Sequence, residues 1–516
     1  MKTKAILPAL VSICLVLSSC QTEETQQYAA LQDPLVNLFD QSLAPFYYGV
    51  ASGDPLQDAI IIWTKVTPND SVPQIQGKWE VSTRQDFSEV VSSGSYSTGP
   101  ERNYTVKVDV TGLEAGATYY YRFEYDGRYS ISGRTKTAPS QTDELTLGII
   151  SCSNYEAGFF NAYGVLAENE AIDVVLHLGD YIYEYGVGTY GDSSTGRFHE
   201  PPHEIISLTD YRTRYAQYRL DENLRAAHQQ HPFITIWDDH EIANNSYKDG
   251  AQNHQEDEGD YGQRSAYARQ VYYEWLPVRA SKTLYRSFSY GDMAQLIMLD
   301  ERLAGRSQPV DSLSSPILQD SSRSMLGTEQ MSWFQNELTN STAQWNVIGN
   351  QVIFSYLNWG FPTFNINLDS WDGYPVEQGQ IIEFIGSNEL NNVIFVTGDT
   401  HSSWALEVTN DPFGSYVSEG AVAIELGTPS INSANSNERA PTENVLIHES
   451  KIVKDSLNPQ LKYTNMRDHG FMVLTLSENE GQAAWYYVET VLEPNPNFTV
   501  GKEIRFVRGE QKLIMN

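Results

Sequence analysis

Four stretches of the sequence join an apolar run to residue types that bind metal ions. They are Leu147-Gly148-Ile149-Ile150-Ser151-Cys152-Ser153-Asn154, Leu176-His177-Leu178-Gly179-Asp180 with Tyr183 three residues on, Ile234-Thr235-Ile236-Trp237-Asp238-Asp239-His240-Glu241, and Val393-Ile394-Phe395-Val396-Thr397-Gly398-Asp399-Thr400-His401. Thiolate, phenolate and imidazole suit a transition metal, and carboxylates suit a hard cation such as Ca2+. Each stretch also has a bland reading. Cys152 alone reads equally as a buried small hydrophobe, Asp180 as a helix N-cap, and the 238–241 and 399–401 runs as solvated turns. Against the bland readings, adjacent carboxylates beside a histidine are costly to pack unless a cation compensates them. Asp399 and His401, two apart, also share one side of an extended loop. The conjunction at four separate places is more specific than any one of them.

The elements that must position these residues follow from the apolar rhythm. From residue 145 onward, short apolar strands at 145–151, 173–178, 233–237, 294–299, 345–349 and 393–397 alternate with helical patterns at 160–168, 208–220, 221–228, 262–275, 328–341 and 378–387. This is α/β organisation, in which ligands bind beyond the carboxyl ends of the strands. Upstream, 59–66 is an apolar run rich in Ile, while 78–83, 104–110 and 118–125 alternate apolar and polar residues, with Gly112, Gly116, Gly127 and Gly133 at turn positions. Short strands at that spacing predict a small β-sandwich, closed by a linker near Pro139. The end of the chain, 501–516, alternates like a strand.

A chain of 516 residues is too long for one ordinary core, so two domains with terminal segments are expected. The formal charge of −32 excludes nucleic acid as the main partner. It would also repel a phosphate ester, so a site for one must concentrate positive charge locally, and bound metal ions are the obvious source. Lys2 and Lys4 precede an apolar run at 5–17 and then Leu17-Ser18-Ser19-Cys20. The run is too short to span a membrane in the mature protein and reads as an export signal. Its ending resembles a bacterial lipobox, which implies cleavage before Cys20, lipidation of that residue and a polar tether behind it. A plain secretory signal with a chance cysteine is the alternative. Cys14 leaves with the signal, so Cys152 would stand alone in an exported protein and could form no intramolecular disulfide.

The order and wording of these stretches resemble the PhoD family of alkaline phosphatases within the metallophosphoesterase superfamily. Gly49-Val50-Ala51-Ser52-Gly53-Asp54-Pro55, Asp210-Tyr211-Arg212, Met325-Leu326-Gly327, Gly349-Asn350-Gln351 and Trp371-Asp372-Gly373-Tyr374 add to the resemblance. It implies an α/β metallophosphatase-like sandwich (140–500) preceded by a small all-β Ig-like domain (46–139). Outside these lie a signal peptide (1–19), a tether (20–45) and a C-terminal tail (501–516). It further implies Fe3+ held by Cys152, Asp180, Tyr183 and His401 beside Ca2+, with Asp239 and Asp399 completing the metal cluster. His240 is the expected substrate-side acid or electrostatic stabiliser. Asn154, Asn350 and Arg212 are weaker candidates for phosphate contacts, and a helix-surface salt bridge competes for Arg212. The implied activity is hydrolysis of phosphate monoesters, and of diesters as an option, by water or oxide activated on the metals. A phospholipase D-like diesterase and a non-catalytic surface-binding lipoprotein are the alternatives. The chain is expected to act as a monomer, anchored by lipid to the bacterial cell envelope, on the outer membrane, either periplasmic or surface-exposed.

Overall fold

A computed structural model describes residues 34–69, 72–454 and 456–515. The expected signal and lipid-bearing Cys20 lie outside the described residues. Among the described residues, no helix is long and apolar enough to cross a membrane.

Two large sheets face each other across one apolar core. The first has nine strands, in the order Phe498–Val507, Glu480–Val488, Gly470–Ser477, Glu144–Ile150, Val174–His177, Pro232–Thr235, Val50–Gly53, Ala59–Lys65 and Thr105–Thr111. Its middle, from Glu144–Ile150 to Val50–Gly53, is parallel. The second has seven strands, with Ala294–Met298, Trp345–Asn350, Val393–Thr397 and Ala423–Gly427 parallel at its centre.

The apolar runs seen in the sequence have a direct cause: these strands are buried on both faces. Along Val393–Thr397, Ile394 and Val396 enter the core between the sheets, while Val393 and Phe395 enter a second core. That second core includes Phe334 of the helix Gly327–Asn340 and Ile381 of Pro375–Ser387. Trp345 and Val347 against Ile348 repeat the alternation on the next strand, as the period of two requires. Three helices begin at side-chain caps. Ser207 and Asp210 form a capping box at the start of Leu208–Arg219, and Asp221 and Asp260 cap Glu222–Gln230 and Tyr261–Trp275.

The N-terminal strands form two layers, as the β-sandwich reading expects, and their core joins Val50, Ile60 and Val106 to Val81, Tyr121 and Phe123. The hydrogen-bonded sheet nevertheless crosses the boundary expected at 139/140. Val50–Gly53 pairs in parallel with Pro232–Thr235, so one layer of the sandwich continues the nine-stranded sheet. At the other end the strand Phe498–Val507 runs through the boundary expected at 500/501, pairing along Glu480–Val488.

Candidate metal centre

The site forms where strand ends of the two sheets meet. Cys152 follows Glu144–Ile150, Asp180 follows Val174–His177, Asp238 and Asp239 follow Pro232–Thr235, and Asp399 and His401 follow Val393–Thr397. Backbone bonds splice the loops together. Cys152 N donates to Gly179 O at 3.1 Å, Ser153 N to Asp180 O at 2.9 Å, and Gly398 N to Gln351 O at 2.9 Å. Two glycines permit the close approach. A Cβ on Gly179, whose φ is +109°, would lie 2.3 Å from Asp238 Cβ, and one on Gly398 would lie 2.8 Å from Ser151 Cβ. Four ligand-type residues sit in the left-handed region themselves, with φ of 60° at Cys152, 57° at Asp180, 62° at Asp399 and 57° at His401. Such conformations persist only where surrounding structure enforces them.

Seven of the expected site residues converge. Cys152, Asp180 and His401 offer one ligand atom each within 4.8 Å of one another; so do Asp180, Asp239 and His240, and so do Asp238, Asp239 and Asp399. The Tyr183 hydroxyl joins the first group, 3.0 Å from Asp180 Oδ2 and 3.2 Å from His401 Nε2. Asp180 belongs to two groups and stands between them. No helix follows Asp180 directly, so the N-cap reading falls away. The His401 Nδ1–H donates to Ala434 O at 2.8 Å, which leaves Nε2 free as a lone-pair donor toward the cluster. Burial holds that imidazole neutral, its pKa down at about 3.

His240 presents Nδ1 to Glu184 Oε2 at 2.7 Å and stacks on the Tyr183 ring at 4.2 Å. Burial opposes its protonation, but Asp239, Glu184 and Asp180 outweigh that and raise its pKa well above the ordinary value.

The electrostatics of the cluster are unfavourable without a cation. Burial, reinforced by Asp239, Asp238 and Glu241, pushes the Asp180 carboxyl well above the carboxylate range. Burial also raises Asp399 to about 7 and Asp238 to about 8, with Arg302 opposing in both cases. Asp239 alone is held down, at about 2, where Arg302 and His240 overcome burial. Burial and the Asp180 charge raise the Cys152 thiol. Asp180 Oδ1 and Asp239 Oδ1 are buried with no hydrogen-bond partner among the described residues. Unpaired buried oxygens on crowded carboxylates are what a cation-binding site leaves when its ion is left out of account. The donor set therefore fits metal ions.

Three expected residues do not join the cluster. Arg212 pairs with Glu274 at 2.6 Å and donates to Glu101 O at 2.8 Å, so the helix salt bridge that competed for it prevails. Asn154 is buried, but its side chain is consumed by local bonds: Oδ1 accepts from Glu156 N at 3.0 Å and meets His199 Nε2 at 3.1 Å, while Nδ2 donates to Tyr190 O. It shapes the wall behind the site. Asn350 is likewise internal, its Oδ1 accepting from Trp371 Nε1 at 3.1 Å.

Other residues the sequence reading passed over hold the cluster in place. The fully buried Arg302 donates to Asp238 Oδ1 at 2.5 Å and Asp369 Oδ2 at 2.7 Å, with Nη2 at 3.7 Å from both Asp239 and Asp399. It follows the strand Ala294–Met298, so looking beyond every strand end would have reached it; a search for metal ligands did not. Glu241 is an anchor rather than a ligand, because it accepts from Asp180 N at 3.1 Å and Asp238 N at 2.8 Å. Arg214 of the helix Leu208–Arg219 holds the carbonyls of Tyr183, Glu200 and Pro201.

The sequence model of the PhoD-like phosphatase family matches residues 147–485, and that of its N-terminal domain matches 35–139. The chain belongs to the PhoD-like phosphatase family. It is an enzyme, a hydrolase. Alkaline phosphatase D of Bacillus subtilis (strain 168) is 38% identical over 474 residues, which is 87% of this chain and 79% of that protein. A solved structure described as that of PhoD superposes with a TM-score of 0.83 at 33% identity, covering 92% of each chain. In this PhoD-like chain the two family regions share one continuous sheet through Val50–Gly53 and Pro232–Thr235.

Proposed function

We propose that this PhoD-like phosphatase hydrolyses phosphate monoesters, and diesters more slowly, at the convergent cluster. The observation that carries the proposal is the meeting of Cys152, Asp180, Tyr183, Asp239, Asp399 and His401, with buried carboxylate oxygens left unpaired. Cys152, Asp180, Tyr183 and His401 would hold Fe3+, and Asp239 and Asp399 would hold Ca2+, with Asp180 shared. Bound there, the ions supply the Lewis acidity that makes phosphorus electrophilic and water acidic near neutral pH.

The chain's own groups divide the remaining work. Arg302 and Glu241 fix the carboxylates before substrate arrives. His401 stays neutral and directs Nε2 inward. His240, oriented by Glu184 through Nδ1, lines the cavity. From there it hydrogen-bonds a phosphoryl oxygen and hands its proton to the alcohol oxygen as the ester P–O bond breaks. The sequence supports export and a lipid anchor on Cys20, with the catalytic unit acting outside the cytoplasm as a monomer.

The test is a panel of mono- and diesters of one alcohol, assayed after chelation and after return of Fe3+ and Ca2+. Activity should vanish on chelation and return with the ions. A chain with no hydrolytic activity in any metal-loaded state would overturn the reading in favour of a binding lipoprotein.

A further inference from the structure

The cavity above the cluster, about 670 Å3, is divided in its chemistry. Its floor is Asp180, Asp239, His240, Asp399 and His401. Trp359, Phe361, Phe364, Val445, Met466 and the ring of His448 add an apolar part to its lining, beside polar residues that include Asn435, Asn444 and Arg439. Charged and polar groups on a phosphate gain nothing from such a wall and would be desolvated by it. Apolar walls with a few convergent polar groups are the mark of an organic ligand's site.

The wall is constructed rather than incidental. Phe361 stacks on His448 at 4.0 Å and 14°, and Phe364 packs on Trp359 at 5.7 Å. Trp359 meets Trp404 edge-on at 5.3 Å, and Trp404 Nε1 donates at 2.7 Å to Thr400 Oγ1, which lies between Asp399 and His401. The aromatic wall is thus tied through one indole to the loop that carries two expected metal ligands. The loop bearing Phe361 is pinned by Asn358 N to Asn458 Oδ1 at 2.8 Å and Gly360 N to Asn358 Oδ1 at 2.9 Å. Yet Phe361 and Phe364 remain 40% and 45% exposed, and both line the cavity.

We infer that this wall is a subsite for the alcohol portion of the ester, and that the enzyme prefers phosphate esters of aryl or similarly broad apolar alcohols. The inference rests on the phosphoester reading above and specifies its substrate class. With the phosphoryl group at the carboxylates, the alcohol extends into the cavity, where the rings of Phe361, Phe364 and Trp359 provide an apolar surface, Phe364 tilted 54° to Trp359. Stacking and burial of one more fused ring there are worth about tenfold in kcat/KM.

The test compares 1-naphthyl phosphate with glycerol phosphate, in the native holoenzyme and in Phe361→Ala/Phe364→Ala. Both rings are at the rim, so folding is expected to survive. The native enzyme should favour the naphthyl ester, and the double variant should lower the naphthyl-to-glycerol ratio by about tenfold. Equal losses for both esters would make the wall structural, and an unchanged ratio would make it irrelevant; either result overturns the inference. A calorimetric comparison needs no turnover: naphthylmethylphosphonate should bind about tenfold more tightly than methylphosphonate, and only to the native chain. Equal affinities would overturn the subsite, whereas tight naphthyl binding without hydrolysis of any ester would overturn the phosphatase reading alone.

Discussion

At the scale of residues, the cluster trades stability for chemistry. Cys152, Asp180, Asp399 and His401 all occupy left-handed backbone, and Asp180 sits among Asp238, Asp239 and Glu241. Asp180→Asn keeps the shape, tolerates a positive φ and removes one of the crowded charges. We expect the metal-free variant to be more stable than the metal-free native chain by about 1–3 kcal/mol, while activity drops by at least about a thousandfold. Urea unfolding in chelator with a parallel ester assay checks both halves; a destabilised metal-free variant would contradict the crowding argument. Glu184 acts through His240. Glu184→Gln should lower kcat about 10–100-fold with little change in KM, and should shift the limb of the pH–rate profile assigned to His240 downward, because one anion that favours the imidazolium is gone. An unmoved profile would give Glu184 a merely structural role.

At the scale of elements, the apolar strands and the residues after them were legible because burial on both faces leaves an uninterrupted apolar run. The run ends abruptly where the chain turns into the site, and for that reason the convergence could be read without coordinates. What stayed hidden depends on non-local pairing. Gly470–Ser477 and Glu480–Val488 insert beside Glu144–Ile150, more than 300 residues away in sequence. The helix Thr442–Ile452, which contributes Val445 to the cavity, buries only Val445, Glu449 and Ile452 and exposes Leu446 and Ile447, so its apolar periodicity is blurred. Arg212 misled because a helix-borne arginine beside a motif tyrosine says nothing of Glu274, which answers it from another helix.

Helix ends also set acid sensitivity. His231 closes the helix Glu222–Gln230, with Nε2 3.0 Å from Leu166 O. Burial, and then the charge of Arg134, lower its pKa from 6.5 to about 4. The folded chain therefore keeps this imidazole neutral while the unfolded chain takes up a proton below 6.5. Its contribution is complete above pH 6.5 and is lost as pH falls through about 4. In His231→Gln, whose amide can still donate to Leu166 O, that loss disappears. Between pH 7.5 and 4 the stability difference should move by about 3 kcal/mol in favour of the variant. A difference that stays constant with pH would contradict the assignment.

At the scale of the whole molecule, the N-terminal strands Val50–Gly53, Ala59–Lys65 and Thr105–Thr111 are part of the catalytic sheet and not an appendage. Val50–Gly53 covers the edge of Pro232–Thr235, from which Asp238 and Asp239 emerge. Arg219 reinforces the join by donating to Tyr48 O at 3.1 Å. The chain should therefore unfold in a single calorimetric transition, and a fragment lacking residues 46–139 should fail to fold cooperatively, since removal bares a central strand edge and half of a sandwich core. A soluble, active fragment would contradict this. The sequence predicted the two kinds of fold in their right order, but its change of pattern at 139/140 says nothing of the sheet that pairs across it, because a composition shift marks where the pattern changes and not where hydrogen bonding stops.

The central claim is that Cys152, Asp180, Tyr183 and His401 share one ion. Metal content and visible absorption of the purified protein, native against Tyr183→Phe, test it together. The native chain should carry iron with a phenolate-to-iron absorption band, and the variant should lose the band even where iron remains. A native protein that binds no transition metal, or a band unchanged in Tyr183→Phe, would contradict the account.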